Sequence, residues 1–301
     1  MRLREKKRVA AARAMIFDMD GTLVLGSSAG NGHSPLPGAV ALLAKLRARG
    51  TPFQVFTNGT AKLPRQYAAS LRDAGLDVRD TEMVTPARAA ADWFGLNKIK
   101  RVRALGLEGL QGPLREAGLD VIGPSQKADG VEAVITGWYR EFQLADMDLA
   151  CRDIWAGAIA TTCSNVPFFA TKDGPTIGHS FAINAAIRAL TGKRARVLGK
   201  PSREAMDCAL RQMGLSAQLA PQVVVVGDDL ALEIRMARNS GAMAIAVITG
   251  LQDRAAFARV PAAEKPDVVL DSLEAIIDAL DQCPSTVGRD DWVRHKGSVE
   301  T

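Results

Sequence analysis

Two aspartates stand one residue apart in "AMIFDMDGTLV" (residues 14–24), where an apolar run stops. A buried strand that delivers Asp18 and Asp20 to one spot sets two carboxylates side by side. Such a pair suits either the capping of the next turn or nucleophilic and acid–base chemistry. Three more apolar runs break off into polar residues: "VFTNGT" with Thr57, Asn58 and Gly59, "VLGKPS" with Lys200, and "VVVVGDD" with Asp228 and Asp229. Hydroxyls and main-chain amides can hold phosphoryl oxygens, a lysine supplies a point charge, and carboxylates bind a hard divalent cation. Any one ending has a plain structural explanation: an Asx turn, a simple turn or a surface lysine. Four endings suited to one reaction point to phosphoryl chemistry.

The elements that must bring these residues together are legible as short apolar runs alternating with longer amphipathic ones. This is the pattern of a mostly parallel sheet with helices on its faces, where ligands bind outside the carboxyl ends of the strands. Strands are expected at "AMIF", "PFQVFT", "KRVRALG", "VEAVITG", "AIATTC", "ARVLG", "QVVVVG" and "MAIAVIT". Helices are expected at "GAVALLAKLRARG", "PRQYAASLRDAG", "PARAAADWFG", "FAINAAIRALTG", "SREAMDCALRQMG" and "DLALEIRMARNSG", with Ser202 and Asp229 as N-caps. The stretch "GSSAGNGHSPLPG" (26–38) reads as a loop. It has neither the G-K-[ST] ending nor the G-x-G-x-x-G spacing of a phosphate-binding loop.

Composition narrows the class. The chain has 301 residues, 47% hydrophobic and 24% charged, enough for two domains or one large domain with an insertion. No run approaches a membrane span, and "MRLREKKRVAAARA" lacks the apolar segment of a secretory signal. Net charge is +5, of which +4 lies in the first eight positions. We read that segment as a solvated tail and expect neither a nucleic-acid partner nor a membrane. Cys151, Cys163, Cys208 and Cys283 are far apart, as reduced thiols of a cytoplasmic protein would be. His33, His179 and His295 are equally scattered, which speaks against a His-rich metal site or a histidine triad. After "DSLEAIIDAL" the periodicity fades, and the C-terminal stretch is expected to be partly disordered.

In this order "DMDGT", "TN", "GKP" and "GDD" resemble the four motifs of the haloacid dehalogenase-like hydrolase superfamily. The resemblance spans roughly residues 13 to 280, and the size and place of the insert are similar to its class II-A, NagD-like phosphatases. It implies a Rossmann-like α/β core, doubly wound, with an inserted α/β cap domain. The core would comprise 1–84 and 180–301, with tails at 1–12 and about 282–301; the cap would comprise 85–179. By the same resemblance Asp18 is the nucleophile that becomes an aspartyl phosphate, and Asp20 is the general acid and base. Thr57, the amides of Asn58 and Gly59, and Lys200 bind phosphate. Mg²⁺ is held by the Asp18 and Asp228 carboxylates and the Asp20 carbonyl. Asp20 also separates subclasses, because a halide leaves without a proton whereas an alkoxide needs one. One position departs from the pattern: Glu233 stands where a second aspartate is usual. We read Glu233, with Asp229, as an outer-sphere or water-bridged metal ligand; a helix-face glutamate with no role is the alternative for Glu233.

The resulting expectation is a Mg²⁺-dependent phosphatase acting on a small phosphorylated metabolite, since a cap excludes water and bulky substrates. A phosphotransferase or phosphomutase would keep all four motifs; mutases of this kind mostly carry a small cap straight after the first motif, where only the 26–38 loop stands here. A non-catalytic binding protein on a retained fold is the other alternative, kept open by Glu233 and by the cap loop "TTCSNVPFF", which replaces the family's "TNxD". Asn165, Lys172 and Asp173 could touch the leaving group but read better as solvated loop. Phe168 and Phe169 read as cap core rather than a stacking platform. Relatives dimerise through the cap, though no feature of this sequence demands it.

Overall fold

The computed structural model describes residues 1–26, 32–171, 174–250 and 252–282. Its strands begin with β1 (Ala14–Asp18), β2 (Val24–Gly26), β3 (His33–Pro35), β4 (Phe53–Phe56), β5 (Met83–Val84), β6 (Arg101–Leu105), β7 (Asp120–Ile122) and β8 (Ala133–Thr136). They continue with β9 (Ile159–Thr162), β10 (Phe168–Thr171), β11 (Gly174–Ile177), β12 (Arg196–Val197), β13 (Val223–Gly227), β14 (Met243–Val247) and β15 (Val268–Leu270).

Six of them form an all-parallel sheet in the order β15-β14-β13-β1-β4-β5. Strands β1, β13 and β14 are buried along their whole length, which is why they read as unbroken apolar runs. Side chains alternate across the sheet. Met15 and Phe17 pack with Leu42, Leu46, Leu71 and Ile276 on one face, while Ala14 and Ile16 join Met206, Leu210 and Met236 on the other. From β1 the chain moves out to β4 on one side and later returns to β13 on the other. The carboxyl end of β1 therefore lies at the switch point of the winding, where a crevice opens.

The second sheet, also parallel, runs β12-β9-β8-β6-β7. Beneath it Arg103 is wholly buried, 2.5 Å from Asp153 Oδ2 and donating to the carbonyls of Gly123, Pro124 and Gln126. The helix Pro86–Leu96 joins the two layers. Its Ala87, Ala90 and Phe94 pack under the second sheet, while Ala89 faces the first.

Five expectations are corrected. The basic start is a helix, Leu3–Ala10, whose Val9 enters the main core while Arg4, Lys7 and Arg8 face solvent. Amphipathic spacing, rather than net charge, decides its state. The helix His179–Thr191 and strand β12 belong with the second sheet, so that layer extends past 179: Ile183 and Ile187 pack there, and β12 pairs with β9. The "VLGKPS" strand accordingly is not a strand of the first sheet. Strand β3 lies inside the expected 26–38 loop and pairs antiparallel with β2, which ends at Gly26. Finally, Phe168 is exposed, paired with Ile177 on a two-stranded ribbon instead of filling a core. Residues 27–31, Lys172, Asp173 and the segment from Cys283 onward, including His295, lie outside the described residues.

Candidate active site

Strand ends deliver most of the expected residues. Asp18 closes β1, Thr57 follows β4, and Asp228 follows β13. The register places Asp18 beside Phe56, and Phe17 beside Val226, so the three tips are neighbours. Asp18, Asp20, Thr57, Asn58, Gly59, Lys200, Asp228, Asp229 and Glu233 all line one cavity of about 950 Å³.

Lys200 arrives differently. It follows β12 of the second sheet and is clamped onto the first by Asn58. The Asn58 amide group donates to the Lys200 carbonyl (3.0 Å), and the Lys200 N–H donates to Asn58 Oδ1 (2.9 Å). Preceding it, Gly199 leaves no space for a side chain: a Cβ would lie 2.2 Å from the Cys163 carbonyl oxygen. The Lys200 ammonium is almost fully buried, donates to Phe56 O at 2.8 Å, and lies between Asp18 Oδ1 and Glu233 Oε1, the latter at 2.5 Å. Burial opposes its charge, but Asp18 and then Glu233 outweigh that, so its pKa lies above the ordinary lysine value.

Glu233 is thus committed to Lys200, with Oε2 accepting from Asp229 N–H at 3.3 Å. Its backbone belongs to a π-helical turn, Leu230–Ile234, a form of helix often found at functional sites. The side chain folds back over Gly227, where a Cβ would approach Glu233 Cγ to 2.3 Å. The extra methylene relative to aspartate is used for this reach. Burial pushes the Glu233 carboxyl up to about 8 against the pull of Lys200. Asp229 caps the turn by accepting from Ala231 N–H at 2.6 Å, as expected of it, and Ser202 caps its helix by accepting from Ala205 N–H.

Asp20 stands between the cavity walls with its side chain 57% exposed. Desolvation by those walls, then the nearby Asp18 charge, raise its carboxyl to about 6 despite Lys200 and Lys62. A carboxyl near this value exchanges protons readily at neutral pH. The Thr57 hydroxyl accepts the Gly59 N–H at 3.1 Å, holding the turn after β4 in shape.

Beside Asp18, the Asp228 carboxylate is wedged between two glycines. A Cβ on Gly21 would come within 2.5 Å of Asp228 Oδ2, and one on Gly250 within 1.9 Å. Gly21 has φ +83°, a left-handed conformation natural to glycine. No group of three or more His, Cys, Asp or Glu side chains among the described residues is arranged to hold a metal. A donor set of the Asp18 and Asp228 carboxylates with the Asp20 carbonyl needs only two side chains. It is all oxygen, which fits a hard cation of the Mg²⁺ type.

The sequence reading missed most of the remaining wall. Leu25, Ala61, Trp138, Val166, His179 and Leu232 line the cavity, and Thr249 closes it from a fifth strand end, donating to Gly21 O at 2.6 Å. Two of the scattered histidines are brought close: His179 lies in the wall, and His33 Nε2 is 3.6 Å from Asp20 Oδ1 while its Nδ1 meets Ser70 Oγ at 2.7 Å. Asn165 is exposed and is not part of the lining; its neighbours Ser164 and Val166 are. Only the alternation of "TTCSNV" could have hinted at which of these point inward.

Two family descriptions match the chain: a haloacid dehalogenase-like hydrolase over residues 15–120 and a HAD-hydrolase-like domain over 197–276. An acid sugar phosphatase of Staphylococcus aureus is 28% identical over 240 residues, covering 79% of this chain and 87% of that protein. The p-nitrophenyl phosphatase from Archaeoglobus fulgidus is 30% identical with a TM-score of 0.78, covering 89% of this chain and 99% of that one. A glycerol phosphate phosphatase from Mycobacterium tuberculosis, solved in complex with magnesium, is 26% identical with a TM-score of 0.77, covering 90% and 78%.

Proposed function

Because this chain belongs to the haloacid dehalogenase-like hydrolase superfamily, we propose that it hydrolyses a small phosphomonoester with Mg²⁺ as cofactor. The observation that carries this reading is the convergence of Asp18, Asp20, Thr57, Lys200 and Asp228 on one cavity, from segments far apart in the chain. The phosphatase relatives support it.

Asp18 attacks phosphorus in line, forming an acyl phosphate as the bond to the leaving oxygen breaks. Asp20, held near pKa 6, gives its proton to that oxygen. In the second half Asp20 takes a proton from water, which attacks the same phosphorus and returns Asp18 to a carboxylate. Lys200 orients Asp18, and its charge offsets that gathering on the phosphoryl oxygens. Thr57 and the turn after it seat those oxygens. The Asp18 and Asp228 carboxylates and the Asp20 carbonyl would hold Mg²⁺, whose positive charge would offset the repulsion between a carboxylate and a phosphate dianion. Asp229 and Glu233 stand behind this set, Glu233 as the anchor of Lys200.

The test is a panel of phosphomonoesters assayed for phosphate release with Mg²⁺ and with EDTA. Release without an added acceptor, abolished by EDTA and by Asp18→Asn, is the expected result. Turnover that survives Asp18→Asn would overturn the mechanism, and transfer only to an added hydroxyl would make the protein a phosphotransferase.

A further inference from the structure

Part of the cavity wall is aromatic. Trp138 and His179 stack with centroids 5.0 Å apart and planes tilted by 42°, and both line the cavity. They come from separate places, Trp138 just after β8 and His179 at the start of its helix, so the fold rather than local sequence pairs them. Each is fixed by close backbone packing. The Trp138 backbone N–H donates to Thr60 Oγ1 at 2.8 Å, which ties the main chain at Trp138 to the segment that carries Thr57, Asn58 and Gly59. Before His179, Gly178 presses on the Val166 carbonyl so tightly that a Cβ would lie 1.9 Å from its oxygen. Leu25, Val166 and Leu232 extend the apolar lining.

His179 Nδ1 is buried and has no hydrogen-bond partner. Burial first, and then the charge of Arg140, hold the pKa of this imidazole below its ordinary value. A neutral ring beside an indole offers a flat, weakly polar surface on which an aromatic ring gains offset or edge contact. A polyol gains less from such a surface, whose apolar neighbours Leu25, Val166 and Leu232 offer it no hydrogen bond.

Resting on the phosphatase reading above, we propose that Trp138 and His179 form a leaving-group subsite selective for phosphomonoesters of aromatic alcohols over those of sugars or glycerol. A phosphate seated at Thr57–Gly59 would share one cavity with the indole and the imidazole, since all of these residues line it.

The experiment compares benzyl phosphate with glycerol 1-phosphate. Both leave as alkoxides, so the ratio of their kcat/KM values reports recognition rather than leaving-group chemistry. The wild-type ratio is expected to favour benzyl phosphate by about tenfold or more. Trp138→Leu, which keeps apolar volume, and His179→Leu should each lower that ratio by roughly tenfold or approach it, with circular dichroism confirming that both variants fold. A wild-type ratio near one, a preference for the glycerol ester, or a ratio untouched by both substitutions overturns the subsite while leaving the phosphatase intact. Release of phosphate from neither of these esters nor any other monoester removes the phosphatase reading and the subsite with it.

Discussion

Lys200→Met is the perturbation whose outcome the structure fixes most closely. Lys200 is 2% exposed and is the cation between Asp18 and Glu233, both buried. Methionine keeps the stem and deletes the charge, leaving the Asp18 and Glu233 carboxyl groups facing one another across an apolar gap. Breaking a buried pair by removing one partner costs on the order of 3–5 kcal/mol. Asp18 opens toward the cavity and its water, so the lower end, about 3 kcal/mol, is expected. With an unfolding entropy of roughly 2 cal/mol/K per residue, that loss lowers Tm by about 5 °C for a chain of this size. The pH dependence has a definite sign. Glu233 already titrates near 8, above its ordinary 4.5, and losing the lysine raises it further. A carboxyl whose folded pKa is raised holds its proton in the folded state where the unfolded chain has released it, so its penalty is absent below about pH 4.5 and complete above the folded value. Below about pH 8 the parent's Glu233 keeps its proton too, so this penalty adds to the Tm deficit of the variant only as pH rises above about 8. Thermal unfolding followed by circular dichroism in EDTA measures it. A variant as stable as the parent at pH 8, or one whose deficit shrinks as pH rises, would refute the account of this cluster.

Asp20→Asn should cost about 10²–10⁴ in kcat for alkyl phosphates and much less for nitrophenyl phosphate, whose leaving group needs no proton; equal losses for both would exclude Asp20 as the acid. With Asp20 raised to about 6, single-turnover phosphorylation by an alkyl phosphate should slow as pH rises through that value, a limb absent in Asp20→Asn. Gly250→Ala would drive a methyl onto Asp228 Oδ2, for which only 1.9 Å is available. Mg²⁺ titration of activity should then show the required concentration rising at least tenfold, and an unchanged requirement would dissociate Asp228 from the metal.

Much of the site was legible because a parallel sheet writes itself into sequence. Strands buried on both faces read as "AMIF" and "VVVV", and each ends where the polar residue must begin, so Asp18, Thr57 and Asp228 could be paired before any fold was known. Ser202 and Asp229 were legible as caps for the same local reason: their side chains bond within three residues of their own backbone. What lay beyond sequence was every relation between distant segments. The N-terminal basic run looked like a tail because charge counts do not show that Val9 finds a core to enter. Lys200 looked like the end of a strand in the catalytic sheet, yet its strand pairs elsewhere and a reciprocal pair of hydrogen bonds with Asn58 carries it across. Glu233 looked like a metal-side carboxylate, and became the partner of that lysine because a π-turn folds it back over Gly227. Trp138 and His179 carried no signal at all, since one tryptophan and one histidine 41 positions apart share no periodicity. Local pattern determines which residues stand at the tips. Only packing between layers, through contacts that sequence spacing does not encode, decides which side chains those tips meet.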